Sequence, residues 1–316
     1  MDDNWRYYHR ITQSIYLRKE GMNTLVDNKL IDRLNQKSIL VSDGATGTSL
    51  QQRGLPKGLA SEVWVLENPQ AIIDLHKEFI SGGSDIILTC TFGGSPIRLA
   101  QSNLKDRTVE VNKKAVDIAH KAIEGNDVLI AASIGPSGMI LEPYGALRID
   151  DARSNYLEQV KALDQSGVDL FVVETQFDIN EAKIILEAIR SISQLPIVCS
   201  FSFDRGTRTM MGITPSQIAK ELGEFDLSAI GINCGKSLED NLICLNELRS
   251  ATTLPIWFKP NAGMPKIDNT GKPTYDITPD IMGSLVKEWI KSGASIIGGC
   301  CGTSPTHLTI IAKNIL

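Results

Sequence analysis

Three cysteines are the residues of this sequence whose type and arrangement most clearly suggest chemistry. Cys234 lies in the segment GINCG, and Cys300 and Cys301 are adjacent in GGCCG. Three thiolates with a fourth position left open describe a catalytic zinc site, because a structural zinc site has four protein ligands. Adjacent cysteines on a strand would point to opposite faces, but the flanking glycines permit a turn that directs both side chains inward.

Other interpretations of these cysteines stay open from spacing alone. An adjacent pair is also typical of two small buried hydrophobic side chains, and a redox role is conceivable although the sequence has no CxxC motif. The chain has six cysteines and no apolar segment typical of an export signal, which favours a reducing, cytoplasmic location. We expect Cys199, inside a predicted strand, and Cys244, inside a predicted helix, to be buried structural thiols.

Two carboxylates also follow apolar runs, where a charge is costly unless it is paired. Asp43 follows ILVS and Glu174 follows LFVV. They could recognise an ammonium group, or Asp43 could cap a helix while Glu174 forms an ion pair in the protein interior. The segment DGATGT, which begins at Asp43, could present backbone N–H groups to a carboxylate. The four histidines (His9, His76, His120 and His307) are expected to have solvated or capping roles rather than catalytic ones.

Composition excludes several classes of function. The net charge is −5 and no basic stripe with interleaved aromatic residues is present, so no nucleic-acid partner is expected. No run of about 18 apolar residues is present either, so we expect no membrane span. The GxGxxG and GxxxxGK[ST] motifs of nucleotide-binding proteins are absent.

The elements that must position these side chains are eight short apolar runs that alternate with amphipathic stretches. The runs are nearly continuous in apolar residues, which is typical of parallel strands buried on both faces. Strands are predicted at residues 39–44, 85–92, 128–135, 170–176, 196–203, 229–235, 255–262 and 295–302. Helices are predicted between them, and several end in SG or GG before the next strand, as helix C-caps do.

This alternation without a break in composition predicts an α/β fold, a (β/α)8 TIM barrel in a single domain. We predict an N-terminal extension over residues 1–30 and the barrel over 31–316. The long first connection, residues 45–68, is expected to form a lid or wall. Reactive residues of such barrels lie at the C-terminal ends of the strands. Cys234 would end strand six and the cysteine pair strand eight, roughly 10 Å apart for next-but-one strands, so the three sulfurs could converge on one ion.

At GINCG and GGCCGTSPTHL the sequence resembles the homocysteine S-methyltransferases. This family includes betaine–homocysteine methyltransferase and the N-terminal module of cobalamin-dependent methionine synthase. The likeness runs from about residue 38 to the C-terminus and includes SDGATGT, DIILTCTFGG, ASIGPSG, VVETQFDINEAK, KPNAGMP and GGCCGTSP. The segments IGPSG, ETQFDINEAK and PNAGMPKIDNTGKPTY are more similar to the methionine synthase module than to the betaine enzyme.

The resemblance implies roles for eight residues. It implies ligation of Zn2+ by Cys234, Cys300 and Cys301, and recognition of the homocysteine amino group by Asp43 and Glu174. It also implies that backbone amides of Gly44 and Ala45 meet the substrate carboxylate, and that Asn261 contacts zinc when substrate is absent. One departure is Cys90, where methionine synthases typically have the asparagine of TNTF. This fourth thiol could close the metal site, form a disulfide or pack in the core, and packing is our expectation.

The expected function is therefore zinc-dependent methylation of the homocysteine thiol, giving methionine. The methyl donor would be a corrinoid protein or a small compound such as S-methylmethionine or betaine, and the likeness to methionine synthase favours the corrinoid partner. Two alternatives remain open at this point. One is methyl transfer involving a different thiol or selenol, and the other is a non-catalytic zinc-binding barrel that docks a corrinoid protein.

Overall fold

Eight parallel strands form the centre of the protein in a computed structural model that describes residues 28–267 and 273–315. The strands are β1 (Leu40–Val41), β2 (Ile86–Leu88), β3 (Leu129–Ile134), β4 (Leu170–Gln176), β5 (Ile197–Phe201), β6 (Ala229–Cys234), β7 (Ile256–Pro260) and β8 (Ala294–Ile297). Strands β2 to β8 pair in chain order, and β8 pairs with β1. A parallel bridge between Ser42 and Ile86 joins β1 to β2 and completes the ring. The predicted (β/α)8 barrel is confirmed.

Helices alternate with these strands and cover the outside of the barrel. They are α1 (Lys29–Gln36), α2 (Thr46–Gln52), α3 (Ser61–Glu67), α4 (Pro69–Ser81), α5 (Pro96–Ala100), α6 (Thr108–Ile123), α7 (Ile149–Asp164), α8 (Ile179–Ile192), α9 (Pro215–Glu221), α10 (Leu238–Ala251), α11 (Pro279–Lys291) and α12 (Pro305–Ile315). A 3-10 turn at Lys105–Arg107 precedes α6, and a short antiparallel pair, Lys266–Ile267 with Pro273–Thr274, follows β7. The long first connection contains α2 and α3.

Several strands are shorter than the apolar runs that predicted them. The run at 85–92 contributes only Ile86–Leu88 to the sheet. Beyond Leu88 the chain turns, because the Thr91 N–H donates to the Thr89 carbonyl at 2.8 Å and the Gly94 N–H donates to the Thr91 carbonyl at 2.9 Å. The residues after the last ladder bond therefore leave the sheet and become available to line a site.

The barrel interior is filled by alternate residues of the strands. Its members include Leu40, Ile86, Leu88, Leu129, Ala131, Leu170, Val172, Val198, Ala229, Trp257 and Ile296. Trp257 is fully buried and pairs in register with Gly231 of β6. A Cβ atom at Gly231 would collide with the Trp257 carbonyl, so only glycine allows β6 and β7 to approach this closely.

The N-terminal part of the described chain closes one end of this interior. Leu30 of α1 is fully buried in the same cluster as the inward-facing strand residues. Helix α1 therefore spans the predicted boundary between residues 30 and 31, and residues 1–27 of the predicted extension lie outside the described residues. Within the described ranges, no helix combines the length and apolar character needed to cross a bilayer.

Candidate functional site

The sulfur atoms of Cys234, Cys300 and Cys301 meet at the C-terminal end of the barrel. The three Sγ atoms all lie within 4.8 Å of one another, and the Cys234 and Cys300 Sγ atoms are 2.7 Å apart. Cys234 is the last residue of β6, and the cysteine pair follows β8. The structure therefore brings together the three side chains that the sequence singled out.

The backbone at Cys234 adopts a conformation that L-residues rarely take. Its φ angle is 59°, and that of Thr175, at the end of β4, is 58°. Asn233 links the two positions, since its Oδ1 accepts from the Thr175 N–H at 2.8 Å and its Nδ2 donates to the Thr175 hydroxyl at 2.7 Å. Ser200 of β5 also donates to Asn233 Oδ1 at 2.7 Å. Such strained residues persist only where surrounding contacts fix them, and they cluster at functional sites.

A turn fixed by hydrogen bonds directs both adjacent cysteines toward Cys234. The Cys300 N–H donates to the Pro260 carbonyl at 2.9 Å, and the Ala262 N–H donates to the Cys301 carbonyl at 2.8 Å. Gly302 follows with φ of 82°, and the Tyr275 ring packs where a Cβ atom at this position would lie. The expectation that glycines let both thiols face the same side agrees with this geometry.

The chemistry of the donor set fits a soft metal ion. Hydrogen bonds from Cys234 and Cys300 lower the pKa of the Cys301 thiol, so the cluster already favours one thiolate. Asn261 lies between the two residues that bond to the cysteine pair, and its Nδ2 donates to the Gly235 carbonyl at 2.8 Å. Its Oδ1 is buried without a hydrogen-bond partner among the described residues. Such an oxygen is an available ligand. Three thiolates suit zinc, which is usually bound by four ligands in tetrahedral geometry.

Asp43 forms a buried ion pair with Lys259, a residue that no sequence motif indicated. The Lys259 Nζ atom lies 2.6 Å from Asp43 Oδ1, and the two side chains are 4% and 1% exposed. The Leu88 N–H donates to Asp43 Oδ2 at 2.8 Å. Burial by itself would lower the pKa of Lys259, but the charges of Asp43 and Glu174 raise it, so the lysine remains charged. The helix-cap alternative for Asp43 is wrong, because α2 begins at Thr46 with Ala45 as its N-cap.

Glu174 lies close to this pair at the end of β4. Its Oε1 accepts a hydrogen bond from the Ser133 hydroxyl at 2.6 Å. Burial raises the pKa of the Glu174 carboxyl to about 7, although the charge of Lys259 opposes this rise. Carboxyl groups with perturbed pKa values are frequent at functional sites, although buried ion-pair networks shift pKa values as well.

Gly44 and Ala45 follow Asp43 at the start of the first connection. The Ala45 N–H donates to the Thr303 hydroxyl at 3.1 Å, so a substrate carboxylate would have to share or replace this contact. A Cβ atom at Gly44 would lie 2.8 Å from the Phe79 ring, which explains the need for glycine. Both residues therefore lie beside the turn that carries the cysteine pair.

Cys90 is not part of the sulfur cluster formed by the described residues. It is 4% exposed and packs in the hydrophobic core. Burial raises the pKa of its thiol, and the nearby Glu62 of α3 raises it further. Glu62 accepts the Gly93 N–H at 2.6 Å, so the first connection forms a wall over the end of β2. The packing interpretation of Cys90 agrees with this environment, and Cys199 and Cys244 are likewise fully buried.

The histidines differ from one another more than the sequence suggested. His307 accepts a hydrogen bond from the Ser304 N–H at 3.1 Å before α12, which is a capping role, and His120 contacts the Gly167 carbonyl at 3.1 Å. The prediction for His76 is wrong, since it is fully buried in α4 and neither ring nitrogen has a hydrogen-bond partner among the described residues. His9 lies outside the described residues. His76 shares the apolar face of α4 with Leu75 and Phe79.

Comparison with known proteins agrees with this architecture and places the chain among enzymes. The family model for homocysteine S-methyltransferases matches residues 40–315. The metallated form of the homocysteine methyltransferase MmuM from Escherichia coli is 24% identical with a TM-score of 0.78, covering 90% of this chain and 99% of that one. The oxidised form of the same protein is 25% identical with a TM-score of 0.77, covering 91% of this chain and 99% of that one.

The unpartnered imidazole of His76 should make stability depend on pH. Burial lowers its pKa from 6.5 to about 4, so the unfolded chain binds a proton there that the folded protein does not. Stability should therefore fall as pH decreases from about 6.5 to 4, by roughly 3 kcal/mol from this residue. The free energy of unfolding can be measured by urea denaturation at both pH values. On going from pH 6.5 to about 4, the stability of His76→Leu relative to the unsubstituted protein should increase by roughly 3 kcal/mol. His120→Leu serves as the control, and a difference independent of pH for His76→Leu would contradict the assignment.

Proposed function

The chain belongs to the homocysteine S-methyltransferase family and is a homocysteine methyltransferase, and on this basis we propose that Cys234, Cys300 and Cys301 hold a zinc ion to which the homocysteine thiol binds. The observation that carries the proposal is the convergence of three sulfur atoms within 4.8 Å of one another, in a group that contains no fourth cysteine, histidine or carboxylate among the described residues. Three protein ligands leave a place for the substrate sulfur.

The chemistry that zinc supplies when bound is the deprotonation of a coordinated thiol. A free thiol has a pKa near 8.5, so at neutral pH only a small part of it is the nucleophilic thiolate. A zinc ion held by the three cysteines would lower the pKa of a coordinated thiol, so that its proton would pass to solvent and no general base would be needed. The sequence indicated thiols and carboxylates at this site but no catalytic histidine, which is consistent with a reaction that needs no general base.

The remaining predicted residues receive roles in binding the amino acid part of homocysteine. We propose that Glu174 provides the negative charge that attracts the amino group, and that Asp43, paired with Lys259, lines the same part of the site. Glu174 makes the direct contact, because Asp43 already accepts from Lys259 and from the Leu88 N–H. The amides of Gly44 and Ala45 face the substrate carboxylate.

Asn261 completes the site from the side of β7. We propose that its Oδ1 contacts zinc before the substrate thiol arrives, and what supports this role is the absence of any other partner for that oxygen among the described residues. Its Nδ2 is held by the Gly235 carbonyl, one residue beyond Cys234. The amide is therefore oriented by the same loop that carries a zinc ligand, and its oxygen is free to be exchanged for a thiol.

For the methyl donor we propose a corrinoid group carried by a partner protein, with S-methylmethionine and betaine as the alternatives. The likeness of several segments to methionine synthase supports this choice. A second support is the set of exposed apolar side chains in the loops after β3, β5 and β7, at the same end of the barrel as the sulfurs. They are Met139, Ile140, Tyr144, Met210, Met211 and Met264. Exposed apolar side chains around a site are typical of a surface that contacts another molecule.

Substitution of the ligands tests the metal assignment. Cys234→Ser and Cys301→Ser should each lose most of the bound zinc and reduce methylation at least about 100-fold, while circular dichroism shows a folded barrel. Cys244→Ala and Cys90→Ala are matched controls, because these thiols are buried away from the cluster, and both should retain one zinc per chain. Full zinc content in either ligand variant would show that the assignment is wrong.

The donor is tested by supplying labelled methyl groups to the zinc-loaded protein with homocysteine. Methyl transfer from methylcobalamin should exceed transfer from S-methylmethionine and from betaine at equal concentrations, since we infer a corrinoid donor. Faster transfer from S-methylmethionine or betaine would show that the corrinoid donor is wrong. It would not affect the proposed binding of homocysteine.

A further inference from the structure

Lys259 is a cation built into the acceptor site, beside the carboxylate that would otherwise attract a substrate ammonium. Its Nζ atom lies 2.6 Å from Asp43 Oδ1, and both side chains are almost completely buried. A buried charge is stable only when paired. The pair is therefore a permanent part of the site rather than a mobile surface contact.

The pair leaves Asp43 little capacity to bind a second cation. Its Oδ1 accepts from Lys259 and lies 3.4 Å from the Ser42 hydroxyl, while its Oδ2 accepts from the Leu88 N–H. A substrate ammonium that displaced the lysine would leave the Lys259 ammonium buried without its partner, which is strongly unfavourable. Asp43 is therefore satisfied before any substrate binds.

Glu174 is the carboxylate left for direct recognition of an amino group, and Lys259 weakens this contact as well. Only Oε1 of Glu174 has a protein hydrogen-bond donor, Ser133, in the described part of the chain. The Lys259 ammonium, held 2.6 Å from Asp43 and almost completely buried, is close enough to Glu174 to lower the pKa of this carboxyl, although Asp43 partly offsets its charge. A substrate ammonium at Glu174 would thus lie in the repulsive field of a lysine ammonium in a region of low dielectric constant.

We propose that Lys259 is a specificity-determining residue that makes the acceptor site tolerant of thiols without an α-ammonium group. This inference rests on the proposed function, because it takes the same site as the place of the acceptor. The acceptor class is a short thiol that carries a carboxylate, with or without an amino group. In every case the acceptor sulfur, after losing its proton, bonds to the methyl carbon while the donor atom leaves with the electron pair of its bond to that carbon.

The expected size of the effect follows from how polar sites discriminate. A site built to hydrogen-bond a substrate group rejects the analogue that lacks it by roughly 10⁴-fold, because its buried polar groups are then left unpaired. Here Lys259 pairs with Asp43 in advance, so a substrate without an ammonium leaves no unpaired aspartate. The preference for homocysteine over its deamino analogue should fall to about tenfold or less, as expected from one partly opposed contact at Glu174.

The test is isothermal titration of the full-length, zinc-loaded protein with homocysteine and with deamino-homocysteine, the same thiol acid with hydrogen in place of the amino group. The two dissociation constants should agree within about tenfold, and the ratio of kcat/KM values should follow them. A dissociation constant more than about 1000-fold weaker for the deamino thiol, with homocysteine bound normally, would overturn the inference alone. No binding of either thiol would overturn the proposed function and the inference together.

Variants of Lys259 provide a second measurement. Lys259→Met frees Asp43 for a substrate ammonium and should raise the preference for homocysteine at least about tenfold, whereas Lys259→Arg keeps the cation and should keep the ratio. Lys183→Met is the matched control, because Lys183 forms an ion pair with Glu221 between the outer helices α8 and α9. An unchanged ratio in folded Lys259→Met would overturn the inference. If Lys259→Met does not fold, the test is the ratio of the dissociation constants for deamino-homocysteine and homocysteine in the unsubstituted protein.

Discussion

The left-handed backbone of Cys234 is the constraint on which the position of the three sulfur atoms depends. A regular strand would end with this side chain following the alternation of β6, but a φ of 59° changes the direction of the chain at the last ladder residue. The conformation costs of the order of 1–3 kcal/mol for a residue with a Cβ atom, so surrounding contacts must maintain it. Asn241 Nδ2 donates to the Cys234 carbonyl at 2.7 Å, and the preceding residue, Asn233, is fixed by hydrogen bonds to Thr175 and Ser200.

Charge balance is the second constraint at this end of the barrel. Three thiols, Asp43 and Glu174 converge in a space from which water is largely excluded, and ionisation of all of them would be strongly unfavourable without cations. Lys259 compensates Asp43 at 2.6 Å, and the raised pKa of Glu174 reduces the negative charge further. A divalent ion among the sulfurs fits the same balance, because it would stabilise the thiolates. The site is therefore arranged around opposite charges and not around a general base.

The barrel could be predicted from the sequence because it depends on local patterns, whereas the assignment of the three cysteines to one metal came from the family resemblance. Continuous apolar runs separated by amphipathic stretches predict buried parallel strands, and the ends of parallel strands lie together in a barrel. The strand ends were predicted too long, as at 85–92, because hydrophobicity does not reveal where the last ladder bond is made. Residues such as Cys90 remain apolar and buried although they have left the sheet.

Lys259 and His76 were missed because their roles depend on partners distant in sequence. Lys259 is a charged residue in the apolar run PIWFKP, and this alone could have indicated a buried ion pair. Its partner Asp43 is 216 residues away, so the sequence did not identify it. His76 lies on the same helix face as Leu75 and Phe79, a pattern that indicates burial, yet the polar type of the residue suggested solvent exposure. Conversely, the likeness to a known family supplied what geometry alone does not provide, namely the identity of the thiol acceptor.

The central claim, that three protein sulfurs and one open position define the metal site, is tested most directly by X-ray absorption at the zinc edge. The zinc-loaded protein without substrate should show three sulfur neighbours at about 2.3 Å and one lighter oxygen or nitrogen neighbour. Addition of homocysteine should raise the count to four sulfurs, with loss of the lighter ligand. Fewer than three sulfurs without substrate, or an unchanged coordination shell when homocysteine is bound, would contradict the account.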